Sequence, residues 1–187
     1  MVRKTVLLIL INLILLLFPK HTLAPGLEFR QEKMSALLER IFIEKETERF
    51  MMAIRESESP DWKAVNPIGC MGWFQFSGAT LKELGYGHIS SKAFRADPGI
   101  FLPETQVELF YRLISLNESE LIGEIELYSG QVINGILITK SGILAGAHLG
   151  GACGVRSFLR SGGKYNPWDR NKTSIADYVK KFQGYLI

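Results

Sequence analysis

The chain has little cysteine and little histidine: two of the first and three of the second in 187 residues. Cys70 and Cys153 supply at most one disulfide in an oxidising compartment, or two free thiols, and spacing alone leaves both readings open. His21 falls in an N-terminal apolar stretch, which leaves His88 and His148. With no His, Cys and Asp grouped at ligand spacing, a zinc site is not expected. No Gly-x-Ser-x-Gly elbow is present, so Ser-His-Asp catalysis has no support. Nor is there an excess of one charge where it would count. The net charge of +3 comes from Arg3, Lys4 and Lys20; residues 25–187 carry 19 acidic and 19 basic side chains. A formally neutral domain gives no support for nucleic-acid binding. Internal repeats and low-complexity segments are also missing.

What is present begins with a leader. Arg3 and Lys4 precede the apolar run Val6–Phe18, interrupted only by Asn12, and small or polar residues lead to Ala24. This is the layout of a secretory signal, and the run is short for a spanning helix. Lys20, His21 and Pro25 disturb the cleavage region, so residues 1–24 read as a signal peptide or as an uncleaved N-terminal anchor. Either way residues 25–187 are expected to work outside the cytoplasm, periplasmic or secreted, with the membrane involved only through that segment. They are long enough for one domain with its own core.

Hydropathy patterning predicts a mainly helical domain with one small β-hairpin. Leu27 to Glu58 reads as one long helix or two, with stripes at Leu37, Leu38, Ile41 and Phe42 and at Phe50, Met51 and Ile54. Asp61 to Gly72 reads as a loop. Ser77 caps a short helix that Gly85 stops. Tyr86 to Leu102 looks irregular, and Pro103 to Asn117 helical, with Val107, Phe110, Tyr111 and Ile114 on one face. Asn134-Gly135 between two β-rich runs is a strong hairpin signal. Ser141 is a good cap for a helix ended by Gly150 and Gly151, Val155 starts another helical piece, and Ser174 to Phe182 forms the last helix.

Glu58 stands out against this background. Phe50, Ile54 and Glu58 are spaced i, i+4, i+8, so the carboxylate continues an apolar stripe, where it is costly without a partner. Ser59 precedes Pro60 and is biased away from the helix, so Glu58 falls in the last turn, at the negative end of the dipole. Burial and dipole both favour the protonated carboxyl, which suits a general acid for glycoside cleavage. The competing reading is a solvated residue on a fraying helix end.

Two further segments follow in order: Gly69-Cys70-Met71-Gly72-Trp73-Phe74-Gln75, a Gly-x-x-Gly-x-x-Gln pattern, and Ala145-Gly146-Ala147-His148-Leu149-Gly150-Gly151. Glycines of this kind let backbone approach a sugar closely. Gln75 either shapes such a site or bonds local backbone. Trp73, Phe76, Tyr86, Tyr165 and Trp168 are candidates for stacking on sugar faces, with one or two expected at a cleft and the rest in the core.

Glu58-Ser59, these two segments and the closing Tyr178-Val179-x-Lys181-Phe182 helix together resemble the lytic transglycosylases of the lysozyme-like superfamily. The stretch from Phe50 to Tyr185 looks most like the transglycosylase-like domains of secreted Bacteroidetes-type proteins. The resemblance implies a lysozyme-like α+β fold with Glu58 catalytic. It implies that Ser59, Gly69, Gly72, Gln75, Ala147, His148 and Gly151 contact the substrate. Two departures stand out. The loop between Glu58 and Gly69 is one residue shorter than the family pattern; Glu56 would move that change into the helix, so Glu58 is the preferred register. His148-Leu149 replaces a Tyr-Asn pair.

The implied partner is the glycan of peptidoglycan, bound by a monomer without metal or organic cofactor. The implied reaction is non-hydrolytic: Glu58 protonates the oxygen between N-acetylmuramic acid and N-acetylglucosamine. It then acts as base on the muramyl 6-hydroxyl, giving a 1,6-anhydro product. Two alternatives stand beside it, a hydrolytic muramidase of the same fold and a non-catalytic peptidoglycan-binding module.

Overall fold

The computed structural model describes residues 25–169 and 172–187; the expectation for the leader, residues 1–24, lies outside them. Among the described residues no helix is long and apolar enough to cross a membrane. The chain divides into two compact units, Met1–Glu48 with Leu186–Ile187, and Arg49–Tyr185. The described part of the first is essentially helical. Its apolar stripe is not core: Leu37, Leu38 and Ile41 are each at least 40% exposed.

The second unit carries the fold. It opens with the last turns of α1 (Pro25–Glu58), which is one continuous helix. Phe50 and Ile54 are fully buried. The helix ends at Glu58 because Pro60 disfavours helical backbone at Ser59. Ser59 then turns the chain: its hydroxyl donates to the Asp61 carbonyl at 3.0 Å and accepts from the Asp61 amide at 3.2 Å.

The loop that follows folds on itself through short antiparallel bridges, Val65 to Met71 and Met71 to Phe76. It leads into α2 (Gly78–Glu83), where the Ser77 hydroxyl accepts from the Thr80 amide at 3.0 Å. The stretch expected to be irregular contains α3 (Ser91–Ala96) and a 3₁₀ turn (Pro98–Ile100), started by the side chains of Ser90 and Asp97. Next come α4 (Pro103–Glu120) and α5 (Ile122–Tyr128). The buried face of α4 is Gln106, Leu109, Phe110, Leu113, Ile114 and Asn117, so Val107 and Tyr111 sit at its edge.

Strands β1 (Val132–Ile133) and β2 (Ile136–Leu137) pair antiparallel, Val132 with Leu137 and Ile133 with Ile136. Asn134 (φ 50°) and Gly135 (φ 77°) make the tight turn that their sequence signals. α6 (Lys140–Arg160) is kinked at Gly151, and α7 (Ile175–Phe182) packs against it. The cap of α6 is Thr139 rather than Ser141. Thr139 accepts from the Gly142 amide at 3.1 Å, while Ser141 is fully buried. The architecture is mainly α with one small hairpin.

Phenylalanines dominate the core. Phe74 stacks on Phe110 at 4.5 Å between ring centroids, and Phe50 lies 6.3 Å from Phe110 and 6.1 Å from Phe182. These contacts fix the end of α1, the 71–76 loop, α4 and α7 against one another, which sets the walls of the cleft described next.

Candidate functional site

Glu58 opens into a cleft of about 430 Å³. A second lobe of about 450 Å³ continues from it, and Cys70, Phe74, Gln75, His148 and Leu149 line both. Gln75 and His148 therefore stand at the junction. The Glu58 side chain is 15% exposed, neither solvated nor sealed. Glu56 is exposed and lines neither lobe.

A hydrogen-bonded chain from α7 holds the carboxyl. The Tyr178 hydroxyl donates to Glu58 Oε1 in a very short bond. Burial first, and the nearby Glu58 carboxyl second, push the Tyr178 phenol well above its ordinary pKa, so it keeps its proton. Because that single proton points at Glu58, the 3.5 Å contact between Ser57 Oγ and Tyr178 Oη has Ser57 as donor. Lys181 Nζ in turn donates to Ser57 Oγ at 2.6 Å. The run from ammonium through two hydroxyls to carboxyl is polarised in one direction. Glu58 Oε2 takes no hydrogen bond among the described residues.

His148 lies on the other side. Its ring is 4% exposed, and Nε2 donates to the Phe74 carbonyl at 3.0 Å. Nε2 is also 3.7 Å from Glu58 Oε1, too far for a second bond. Burial lowers the imidazole pKa, opposed by the Glu58 carboxylate and the Phe74 bond. The ring is therefore neutral near pH 7, with Nε2 protonated. Nδ1 is buried without a partner. His148 fixes the 71–76 loop to α6 and presents Glu58 with a polar, uncharged neighbour.

The other carboxylates of this lobe, Asp169 and Asp177, are each engaged through one oxygen. Asp177 accepts from the Ser174 amide at 2.9 Å and hydroxyl at 2.7 Å, and these bonds hold its pKa below the usual range. Asp169 accepts from the Thr173 amide at 2.7 Å. Outside both lobes, Asp61 is exposed and caps its own turn, accepting from the Lys63 amide at 2.9 Å. Asp169 and Asp177 each keep one oxygen without a partner but hold the other within their own 169–177 segment, whereas Glu58 is held from another element, by Tyr178 on α7.

Of the residues expected to contact a substrate, Glu58, Gln75, Ala147, His148 and Gly151 line the two lobes; Ser59, Gly69 and Gly72 line neither. Ser59 is buried in the turn after α1. Gly69 turns the loop against Ser91. Gly72 is pressed on α4, where a Cβ would lie 2.3 Å from Gln106 Oε1. These three shape the cleft from behind. Gln75 lines the cleft, and its Nε2 bonds local backbone, donating to the Gly72 carbonyl at 2.8 Å. Of the aromatics, Phe76 lines the second lobe. Trp73 lies under the Arg55 guanidinium at 4.1 Å, while Tyr165 and Trp168 are exposed outside both lobes.

Gln106 is the residue the sequence reading missed. It is fully buried; Oε1 accepts from the Trp73 amide at 2.8 Å, and Nε2 donates to the carbonyls of Trp62 and Phe101, both at 2.9 Å. One side chain thus stitches both ends of the cleft-forming loop to α4. A glutamine in register with Leu109, Phe110 and Leu113 was the available signal.

Cys70 and Cys153 are free thiols, both on the second lobe. Burial pushes the Cys70 thiol up, so it is not a thiolate near neutral pH. Among the described residues no group of three or more His, Cys, Asp or Glu is arranged to hold a metal. Compared with known proteins, the chain matches no family model, no curated protein and no solved structure.

Proposed function

We propose that this chain is a lytic transglycosylase that cleaves peptidoglycan between N-acetylmuramic acid and N-acetylglucosamine without water, leaving a 1,6-anhydromuramyl end. The observation that carries the reading is the state of Glu58: a cleft carboxyl with one oxygen anchored by Tyr178 and the other open, beside two carboxylates, Asp169 and Asp177, that are tied into their own segment. Retaining and inverting glycosidases need a partner carboxylate as nucleophile or as base for water. Glu58, the one of the three not bound within its own segment, suits a reaction in which the same group acts as acid and then as base.

In this reading Oε2 is the oxygen that exchanges the proton. Tyr178 occupies Oε1 with its own hydrogen, which leaves Oε2 facing the substrate. In the first half, Oε2–H protonates the glycosidic oxygen and the bond from that oxygen to muramyl C1 breaks. The leaving N-acetylglucosamine carries the proton away as its 4-hydroxyl. In the second half, Oε2 takes the proton of the muramyl 6-hydroxyl as O6 bonds to C1. Atoms and charge balance, and Glu58 ends protonated. Neutral His148 adds no positive charge beside the carboxyl.

The test is a digest of purified sacculi by the full chain, analysed by mass spectrometry beside Glu58→Gln and Glu56→Gln. Anhydromuramyl ends should appear with wild type and Glu56→Gln and vanish with Glu58→Gln. Reducing ends would replace this reading with a hydrolytic muramidase. Sacculi bound but left intact would replace it with a binding module.

A further inference from the structure

The second lobe has a charge character of its own. The only ionisable carboxylates on its walls are Glu83 and Glu120, and no lysine or arginine lines it. Neither carboxylate has an ion-pair or hydrogen-bond partner among the described residues. Glu120 is the last residue of α4, so the negative end of an 18-residue helix adds to the potential there. Arg156, which touches Glu120, spends its charge on Glu124 at 3.1 Å and reaches only the backbone carbonyl of Glu120, at 2.8 Å.

Asn117 is an independent sign of a ligand. It lies one turn before Glu120 on the same face, lines the lobe and is 5% exposed, yet its Nδ2 has no hydrogen-bond partner. A buried amide without partners is costly and uncommon in native proteins. A cavity of about 450 Å³ is of ligand size. The combination repels carboxylates and phosphates and accepts a cation that has a neutral polar group beside it.

Building on the glycan reading above, we infer that the second lobe recognises a primary ammonium group carried by the glycan substrate, held by Glu83 and Glu120 with Asn117 on a neighbouring amide or hydroxyl. Such an ammonium has two sources in a wall glycan. One is the side-chain amine of a diamino acid in the stem peptide; the other is the 2-amine of a sugar that has lost its acetyl group.

The test is calorimetric binding to the full chain carrying Glu58→Gln, with four ligands. Two are a disaccharide whose stem peptide has a free side-chain amine and the same compound with that amine acetylated. The others are a fully acetylated chitooligosaccharide and a partly deacetylated one. One pair should show about tenfold tighter binding of the free amine, the scale of one charge-assisted contact. That preference should fall below twofold when Glu83→Gln and Glu120→Gln are added. Both side chains are exposed, so the variant should keep its fold. The pair that shows the preference identifies the source. Equal binding within both pairs, or a preference that survives loss of both carboxylates, would overturn the inference. A wild-type digest separates it from the reading it rests on. Wall products released without an amine preference sink the ammonium site alone. An amine preference with neither wall products nor binding of acetylated glycan sinks the glycan reading alone.

Discussion

Tyr178 and Lys181 reach Glu58 by different numbers of bonds, and that difference is measurable. Tyr178 touches the carboxyl directly, whereas Lys181 acts through Ser57 and Tyr178. Removing the phenol in Tyr178→Phe frees Oε1, so the proton is no longer confined to Oε2. The turnover of sacculi should fall about ten- to a hundredfold. Little stability should be lost, about 1 kcal/mol at most, because Glu58 can be hydrated from the cleft. Lys181→Met should lower turnover less, and in a Tyr178→Phe background it should lower it no further, since the link between them is gone. Additive losses in the double variant would rule out the chain as one unit.

At the scale of elements, the kink in α6 carries the second lobe's rim. Gly151 has φ 72° and ψ 163°, a region essentially closed to other residues. A Cβ there would meet nothing within 4 Å. Gly151→Ala should therefore destabilise by backbone strain alone, about 1–3 kcal/mol, as read by chemical denaturation. A neutral outcome would mean that the kink is not required. Gly150 next to it fails for a different reason, because a Cβ would lie 2.7 Å from Ile175 Cδ1.

The break at Gly151 was legible because paired glycines interrupt an apolar period. The hairpin at Asn134-Gly135 and the capped starts at Ser77 and Ser174 were legible on the same kind of local chemistry. α3, the 3₁₀ turn and α5 were not: seven residues or fewer give no apolar period to count, and only the caps Ser90 and Asp97 hinted at the first two. The site divides the same way. Glu58 could be picked out because it extends a helical stripe. The bond to Tyr178 joins residues 120 positions apart and the Gln106 staple reaches 44, and neither leaves a mark on neighbouring sequence. The acidic lobe is assembled from the ends of two helices and is invisible for the same reason.

For the whole molecule, the boundary near Glu48 separates two kinds of apolar residue on one helix. Leu38, before it, is 46% exposed; Phe50, after it, is fully buried against Phe110, Phe182 and Tyr185. The cleft draws its walls only from residues after the boundary. Truncating a large core aromatic costs about 3–5 kcal/mol, a large share of the roughly 5–15 kcal/mol that holds a domain together. Phe50→Ala should therefore lower the melting temperature by about 6–20 °C, on a scale of about 2–4 °C per kcal/mol, and, on the proposed function, weaken sacculus digestion with it. Leu38→Ala should stay within about 0.5 kcal/mol of wild type. A chain starting at Lys45 keeps one helical turn ahead of Phe50 to absorb the unpaired amides of a helix start. It should melt within a few degrees of the full chain and give the same product ends. Loss of folding in that truncated chain, with Phe50 and Ile54 intact, would show that the cleft-bearing unit depends on the residues before it.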